Sequence, residues 1–171
     1  MRCLLFTTAL LAASAHAEVT SVSPTGFVSS FRKEVQATPA QAFDAIARLP
    51  QWWNVQHSYS GKSANLRIGL KAGDCFCEDW DGNSIEHARV LLVMRNSLVR
   101  MQGGLGPLQE LGVNAVLTMS TGTADGKTFV RMVYRVTGAP ETGFDKLAPV
   151  VDRVMGEQFA RWANYVDNPK Q

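Results

Sequence analysis

A chain of 171 residues, 46% of them apolar and 19% charged, is long enough for one globular domain. Its 17 Lys and Arg residues against 15 Asp and Glu residues give a formal net charge of +2, and these charges are scattered. The scatter excludes both the basic stripe of a nucleic-acid-binding protein and a polybasic membrane patch.

The start of the chain has the pattern of a secretory signal. Arg2 gives a positive start, and residues 4–13 form a mostly apolar run that is too short to span a membrane. Ala15 and Ala17 place small residues where a signal peptidase cleaves, so cleavage is predicted after Ala17. We expect this segment to be removed, together with Cys3, and the mature protein to be soluble and either periplasmic or secreted. No later apolar run reaches membrane-spanning length.

A short polar segment leads into the predicted domain. Residues 18–25 are read as a tether, and residues 26–168 as the folded unit. The first strand is predicted from Gly26 to Gln36, because Phe31 and Val35 belong to a run in which apolar and polar side chains alternate.

Two short helices are predicted directly after this strand. The hydroxyl of Thr38 suits a helix cap, and Pro39 suits the first helical position, where no N–H is needed. The apolar residues that follow at helical spacing are Ala42, Phe43, Ile46 and Leu49. Pro50 should stop the first helix, and the Trp52–Trp53 pair comes directly after it.

Turns, most of which contain glycine, join a run of about six further strands. We predict them at residues 66–70, 75–80, 84–94, 98–102, 113–121 and 128–137. The Gly103–Pro107 segment is rich in glycine, but it precedes no helix and has no Lys-Ser/Thr pair. It therefore predicts a loop and not a phosphate-binding site.

The chain ends in one long amphipathic helix. Its apolar positions are Phe144, Leu147, Ala148, Val151, Met155, Phe159, Trp162 and Val166. Pro149 marks either the true start of this helix or a kink. Segregated strands and helices predict an α+β fold, a curved antiparallel sheet of about seven strands around the long C-terminal helix.

This order of elements resembles the START-like superfamily, also called the Bet v 1-like, SRPBCC or helix-grip fold. The resemblance rests on VQATPAQAFDAIARLPQWW near the front and FDKLAPVVDRVMGEQFARWANYV at the end, and it covers residues 28–167. Within the superfamily the chain is most similar to the polyketide cyclase/dehydrase and lipid-transport-like group. The resemblance implies a cavity between sheet and helix that binds a hydrophobic or amphipathic small molecule. It implies no cofactor and carries over no catalytic residue.

Candidate ligand-binding residues combine large aromatic side chains with a few polar or reactive groups. They are Trp53, His57, Tyr59, Cys75, Cys77, Glu78, His87, Met155, Phe159 and Trp162. His57 lies in a loop that the fold would place near one end of the cavity, and Met155 and Phe159 are central on the long helix.

The two cysteines of the predicted mature chain, Cys75 and Cys77, are expected to be free thiols. An exported chain meets an oxidising environment, but residues two apart on a regular strand have Cα atoms about 6.5–7 Å apart, at the limit for a disulfide. With Glu86 and His87 they contain zinc-ligand types. Because C-x-C is not the usual ligand spacing and only one histidine is near, we predict no metal site.

Three functions stay open at this stage. The first is an exported protein that binds a hydrophobic or amphipathic small molecule. The second is a cyclase-like or hydrolase-like enzyme, in which His57, Glu78 or His87 moves protons in the same cavity. The third is an envelope protein-interaction module with an exposed apolar patch. The sequence has no Ser-His-Asp set, H-E-x-x-H motif or dinucleotide fingerprint, so binding is favoured over catalysis.

Overall fold

The computed structural model describes residues 18–169, so the predicted signal peptide, residues 1–17, lies outside the described residues. The strands are β1 (Glu18–Ser23), β2 (Gly26–Val35), β3 (Leu66–Ile68), β4 (Cys75–Trp80), β5 (Asn83–Met94), β6 (Leu98–Gln102), β7 (Asn114–Ala124) and β8 (Lys127–Thr137). The helices are α1 (Pro39–Ala47), α2 (Leu49–Trp52) and α3 (Phe144–Asp167). No helix within residues 18–169 is long and apolar enough to cross a membrane.

The strands form one antiparallel sheet in the order β1-β2-β8-β7-β6-β5-β4-β3. From β3 to β8 each strand pairs with its neighbour in sequence, whereas β2 reaches across the chain to pair with β8. Together with the long α3, this arrangement confirms the predicted α+β class and agrees with the helix-grip description.

The sheet has eight strands in the described residues, not about seven, because the reading of residues 18–25 as a tether is wrong. Glu18–Ser23 forms the edge strand β1 and pairs with β2. Pairing satisfies the backbone groups of a segment without requiring apolar side chains. The side chains of residues 21–23 are exposed, so no apolar alternation identifies the strand from sequence.

Helix α1 begins as predicted, with Thr38 as its N-cap and Pro39 at its first position. The Thr38 hydroxyl oxygen accepts a hydrogen bond from the backbone N–H of Gln41 at 3.3 Å, and the Gln41 side-chain oxygen accepts one from the Thr38 N–H at 2.9 Å. This reciprocal pair satisfies two N–H groups at the helix end, and Pro39 occupies the first position, where it needs none.

Helix α3 packs one apolar stripe against β1 and β2. Its buried apolar residues are Phe144, Ala148, Met155, Phe159, Trp162, Ala163 and Val166. The helix begins at Phe144, ahead of Pro149, so the proline does not mark its start.

Aromatic side chains fill the layer between α3 and the rest of the fold. The Phe31 and Phe159 rings stack with centroids 5.6 Å apart, and Trp162, which is fully buried, lies 6.4 Å from Trp52. Close packing of this kind leaves α3 firmly seated on β2 and on the short helix α2.

Candidate functional site

Strand β5 contains a one-residue bulge on the side that faces β4. Phe76 pairs with Ala88 and Cys77 pairs with Glu86, so His87 has no partner across this ladder. A bulge re-aims a side chain, and here His87 and Ala88 are both buried although they are adjacent. We call this position the His87 bulge.

The His87 bulge places an imidazole against a fully buried carboxylate on β4. His87 Nε2 lies 3.1 Å from Glu78 Oε2, and Glu78 has no exposed surface. The Tyr59 N–H donates to Oε2 at 3.0 Å, and the Ser60 N–H donates to Oε1 at 2.6 Å. Both carboxylate oxygens are therefore engaged by donors.

The protonation states of this pair follow from those contacts. Burial alone would raise the pKa of Glu78, but hydrogen bonds from Ser60, Tyr59 and His87 outweigh it and hold that pKa below its ordinary value. Burial lowers the pKa of His87, and the neighbouring Glu78 only partly opposes this. At neutral pH the pair is a carboxylate and a neutral imidazole. Because a carboxylate only accepts, the imidazole proton is on Nε2.

The two N–H groups on Glu78 belong to a cover loop, which we define as residues 53–62. At its other end this loop is tied to α3, since the Asn54 N–H donates to the Gln158 side-chain oxygen at 2.9 Å and the Asn54 amide donates to Glu157. His57 Nε2 lies 3.5 Å from the same Glu157 carboxylate. The loop thus bridges α3 and the inner face of β4.

Aromatic rings pack around the pair beneath the cover loop. The His87 ring lies 4.6 Å from Phe76 and 5.9 Å from Tyr59, and Trp53 meets Phe76 edge-on at 5.1 Å. Tyr59, about half exposed, stacks on Trp80 with centroids 6.4 Å apart.

The structure divides the predicted site residues into three groups. The cover-loop group is Trp53, His57, Tyr59, Glu78 and His87. Met155, Phe159 and Trp162 lie in the aromatic layer under α3. Cys75 and Cys77 alternate with Phe76 and Glu78 along β4 and so face away from both groups.

This geometry favours a positioning role for the Glu78–His87 pair over proton transfer. A general base must lie within hydrogen-bond reach of the proton that it removes. Glu78 is fully buried, and both of its oxygens hold the cover loop or His87. Its carboxylate fixes the loop to the sheet.

The expectation of free thiols is wrong, because Cys75 and Cys77 form a disulfide. Their Cα atoms are 5.4 Å apart, closer than in a regular strand, at the point where the β4–β5 register slips. The distance expected from an undistorted strand did not include this slip. The Glu86 carboxylate lies within 4.8 Å of both sulfur atoms, but joined sulfurs are not the thiolates that bind metals.

Strand β5 has a second bulge, on the side that faces β6. Val90 pairs with Met101 and Leu92 pairs with Arg100, so Leu91 has no partner across that ladder. Leu91 is 46% exposed and Leu92 is 36% exposed, and they are adjacent. Sequence reasoning missed this Leu91 bulge, since the run Val90–Met94 reads as an uninterrupted buried strand.

An apolar depression of about 350 Å³ lies beside the Leu91 bulge. It is lined by Phe43, Leu70, Lys71, Ala72, Leu91, Leu92, Val93 and Arg95. Phe43 of α1 is fully buried, so the depression reaches from the surface to the core.

A second groove, of about 680 Å³, runs between α1 and the end of α3, and it is more polar. Several of its polar groups already bind one another: the Gln36 N–H donates to Asp167 at 2.7 Å, and the Tyr165 hydroxyl donates to Gln51. Neither this groove nor the apolar depression is lined by a predicted site residue.

Four buried polar side-chain atoms lack a hydrogen-bond partner among the described residues. They are Ser29 Oγ, Asp152 Oδ1, Gln158 Nε2 and Trp162 Nε1. Ser29 is on the buried face of β2, and the other three are on α3. Buried polar groups are normally paired, so this layer has unused hydrogen-bonding capacity.

Comparison with known proteins finds similarity of fold and no family. No family model matches the chain, and no curated protein matches it. Among solved structures, the Aha1 dimer from Colwellia psychrerythraea is 16% identical with a TM-score of 0.59, over 83% of this chain and 97% of that one. Protein Ms6760 from Mycobacterium smegmatis is 12% identical with a TM-score of 0.58, over 93% and 99%. Protein MLL2253 from Mesorhizobium loti is 13% identical with a TM-score of 0.57, over 84% and 99%. At these identities the similarity shows the fold alone, a sheet with a C-terminal helix that is compatible with the helix-grip type.

Proposed function

We propose that this chain is an exported protein of the START-like class that binds a single-chain amphiphile with an anionic head. The observation that carries the proposal is the apolar depression, which has apolar walls and two cationic residues, Lys71 and Arg95. Its volume of about 350 Å³ is at the lower end of the range for small-molecule sites. Both features suit an acyl chain that ends in a carboxylate.

The apolar walls would supply most of the binding free energy. Leu91 and Leu92 are adjacent and together expose an apolar surface that the free protein leaves in water. Complete burial of a leucine side chain contributes about 1.5–3 kcal/mol, so covering the exposed half of Leu91 contributes roughly 1 kcal/mol. Each CH2 group that an acyl chain buries contributes a comparable free energy, about 0.8 kcal/mol.

The cationic residues would select the head group. The Arg95 guanidinium is 78% exposed and lies 3.9 Å from Asp44, which is itself 63% exposed. Exposed ion pairs of this kind contribute about 0–1 kcal/mol, so Arg95 exchanges Asp44 for a ligand carboxylate at little cost.

The test compares dodecanoic acid with dodecanol and with a dodecyl quaternary ammonium salt, using native mass spectrometry and thermal unfolding. At a ligand concentration of about 100 times Kd, stabilisation is about 2.7 kcal/mol, a rise in Tm of about 5–10 °C. We expect the acid to stabilise most and the ammonium salt least. Equal effects from all three would contradict the selection of an anion.

Two variants locate the site. Leu91→Ser should weaken binding of the acid about tenfold, because it removes apolar contact. Arg95→Gln should weaken it about fivefold and leave dodecanol unaffected. Leu111→Ser is the matched control, since Leu111 is also 46% exposed but lies outside the depression. Binding that survives Leu91→Ser unchanged would overturn this location.

The layer under α3 is the alternative location, favoured by its four unpaired polar atoms. Gln158→Leu removes one unpaired donor and one tie to the cover loop. If Gln158→Leu abolishes binding and Leu91→Ser does not, the ligand enters beneath the cover loop instead. If no amphiphile binds at all, the exposed leucines are better explained as a protein-interaction surface.

A further inference from the structure

We propose that Cys75 and Cys77 form a thiol–disulfide exchange site, which accepts two electrons from an external thiol. Cys75 is partly exposed, whereas Cys77 is only 6% exposed. In thiol–disulfide exchange an external thiolate attacks an accessible sulfur, and the other sulfur of the bond leaves. The difference in exposure therefore makes Cys75 the attacked sulfur and Cys77 the leaving one. This inference is independent of amphiphile binding, because neither cysteine lines the apolar depression.

The short spacing makes this disulfide a weak structural link. The two cysteines are separated by two positions in sequence. A disulfide stabilises a fold mainly by closing a loop in the unfolded chain, and this effect decreases with loop length. Because little folding stability depends on the bond, the fold gives it little protection from reduction.

Arginines stand opposite both cysteines across the sheet. Arg89 pairs with Cys75 on β5, and Arg67 pairs with Cys77 on β3. Side chains directly opposite in antiparallel strands have Cβ atoms about 4.5–5.5 Å apart. A cationic side chain on the neighbouring strand favours the thiolate that leaves when a disulfide is attacked.

Each arginine also has an acidic partner, which reduces the stabilisation that its positive charge gives to the leaving thiolate. The Arg89 guanidinium donates two hydrogen bonds to Glu86, and Arg67 pairs with Asp79. All four of these side chains are at least 40% exposed, so both ion pairs lie at the surface, and reagents reach the disulfide at the partly exposed Cys75.

The proposed reaction balances as a two-electron exchange. An external thiolate attacks the Cys75 sulfur, the Cys75–Cys77 bond breaks, and Cys77 leaves as a thiolate that takes up a proton. A second external thiolate then attacks the external sulfur of the mixed disulfide, and Cys75 leaves as a thiolate that takes up a proton. In sum, one protein disulfide and two thiols give one protein dithiol and one external disulfide.

The first experiment measures reduction of the folded chain. Protein of residues 18–171 is first oxidised with oxidised glutathione and then treated with reduced glutathione or reduced thioredoxin. Free thiols are alkylated, and mass spectrometry counts the alkylated cysteines. We expect two alkylated cysteines while circular dichroism stays unchanged. Reduction by glutathione identifies a small thiol as the electron source, and reduction by thioredoxin alone identifies a protein dithiol. Reduction that proceeds only after unfolding, or a protein that never forms the bond, would overturn the proposal.

The second experiment assigns the two sulfurs. In Cys77→Ser, the Cys75 thiol should react with oxidised glutathione, forming a mixed disulfide and releasing one glutathione thiol, at least about tenfold faster than Cys77 does in Cys75→Ser. Arg67→Gln should slow reduction of the oxidised protein about threefold, because Arg67 pairs with Cys77, the sulfur that leaves first. Arg135→Gln is the charge-matched control, because Arg135 lies on β8, remote from β4. Equal rates for the two single-cysteine variants would contradict the assigned order of attack.

Discussion

The two bulges of β5 are the same backbone irregularity with opposite results. The His87 bulge turns a polar side chain inward, where Glu78 and aromatic rings surround it. The Leu91 bulge leaves an apolar side chain outward, where no described residue covers its exposed surface. The first arrangement satisfies its groups inside the protein and is structural. The second leaves apolar area uncovered, which is why we place binding there.

The bulges can be removed separately, because β5 pairs with β4 only up to Arg89 and with β6 only from Arg89 onward. Deleting His87 or Leu91 therefore leaves each ladder continuous. We expect deletion of His87 to cost about 3 kcal/mol, since the buried Glu78 carboxylate loses the hydrogen bond from the neutral imidazole. Deletion of Leu91 should cost less than about 1 kcal/mol. Urea unfolding measures the free energy of unfolding of both variants. Equal losses would contradict the distinction between a structural His87 bulge and a Leu91 bulge that is not needed for stability.

A milder change leaves the His87 bulge in place and alters the Glu78 carboxylate that His87 contacts. Glu78→Gln keeps the shape but replaces one of the two accepting oxygens with an NH2 group, which cannot accept a hydrogen bond from the Tyr59 or Ser60 N–H. We expect a loss of about 2 kcal/mol in the free energy of unfolding. Asp79→Asn, at a side chain that is 52% exposed, should cost at most about 0.5 kcal/mol. A similar loss in both variants would show that burial of Glu78 does not matter.

Acidification tests the same pair without a mutation. The pKa values of His87 and Glu78 are both lowered in the folded state, so the unfolded chain binds protons first as the pH falls. Their contribution to stability is complete above pH 6.5, and the His87 share is lost below that pH. The Glu78 share is lost below pH 4.5. In Glu78→Gln the second decrease should disappear, as measured by urea unfolding across this range.

A smaller loss of stability than that of Glu78→Gln is expected at the disulfide beside the His87 bulge. A loop this short predicts that reduction of Cys75–Cys77 costs about 1.5 kcal/mol, or about half of what a fifteen-residue loop gives. Thermal unfolding with and without dithiothreitol measures the change, with Cys75→Ser as the reference that cannot form the bond. A much larger loss would make the disulfide a structural element and not an exchange site.

The parts of this fold that sequence reasoning found are local in sequence. The Thr38 cap, the apolar stripe of α3 and the hairpin strands each depend on residues a few positions apart. The cover-loop group was partly found as well, because aromatic and titratable residues cluster in two short segments.

What sequence reasoning missed depends on pairing between strands. A bulge is a difference in register between two strands, and no residue type at His87 or Leu91 signals one. The wrong expectation for Cys75 and Cys77 assumed a regular strand, whereas the structure places them 5.4 Å apart, next to the slip in register. Edge strand β1 shows no apolar alternation in its sequence, its residues 21–23 are exposed, and it is recognisable only from its pairing with β2.

The pairing of β2 with β8 also has a consequence for folding kinetics. Strands β3 to β8 follow one another in both sequence and space, so that meander can assemble from hairpins. The ladder from Val35 to Thr128 must instead close a loop on the order of 100 residues, which slows folding. We expect amides of the meander to gain protection first in pulsed hydrogen exchange, and those of β2 and α3 afterwards. Strand β2 and helix α3, which lie at opposite ends of the described residues, would then be the last elements to fold.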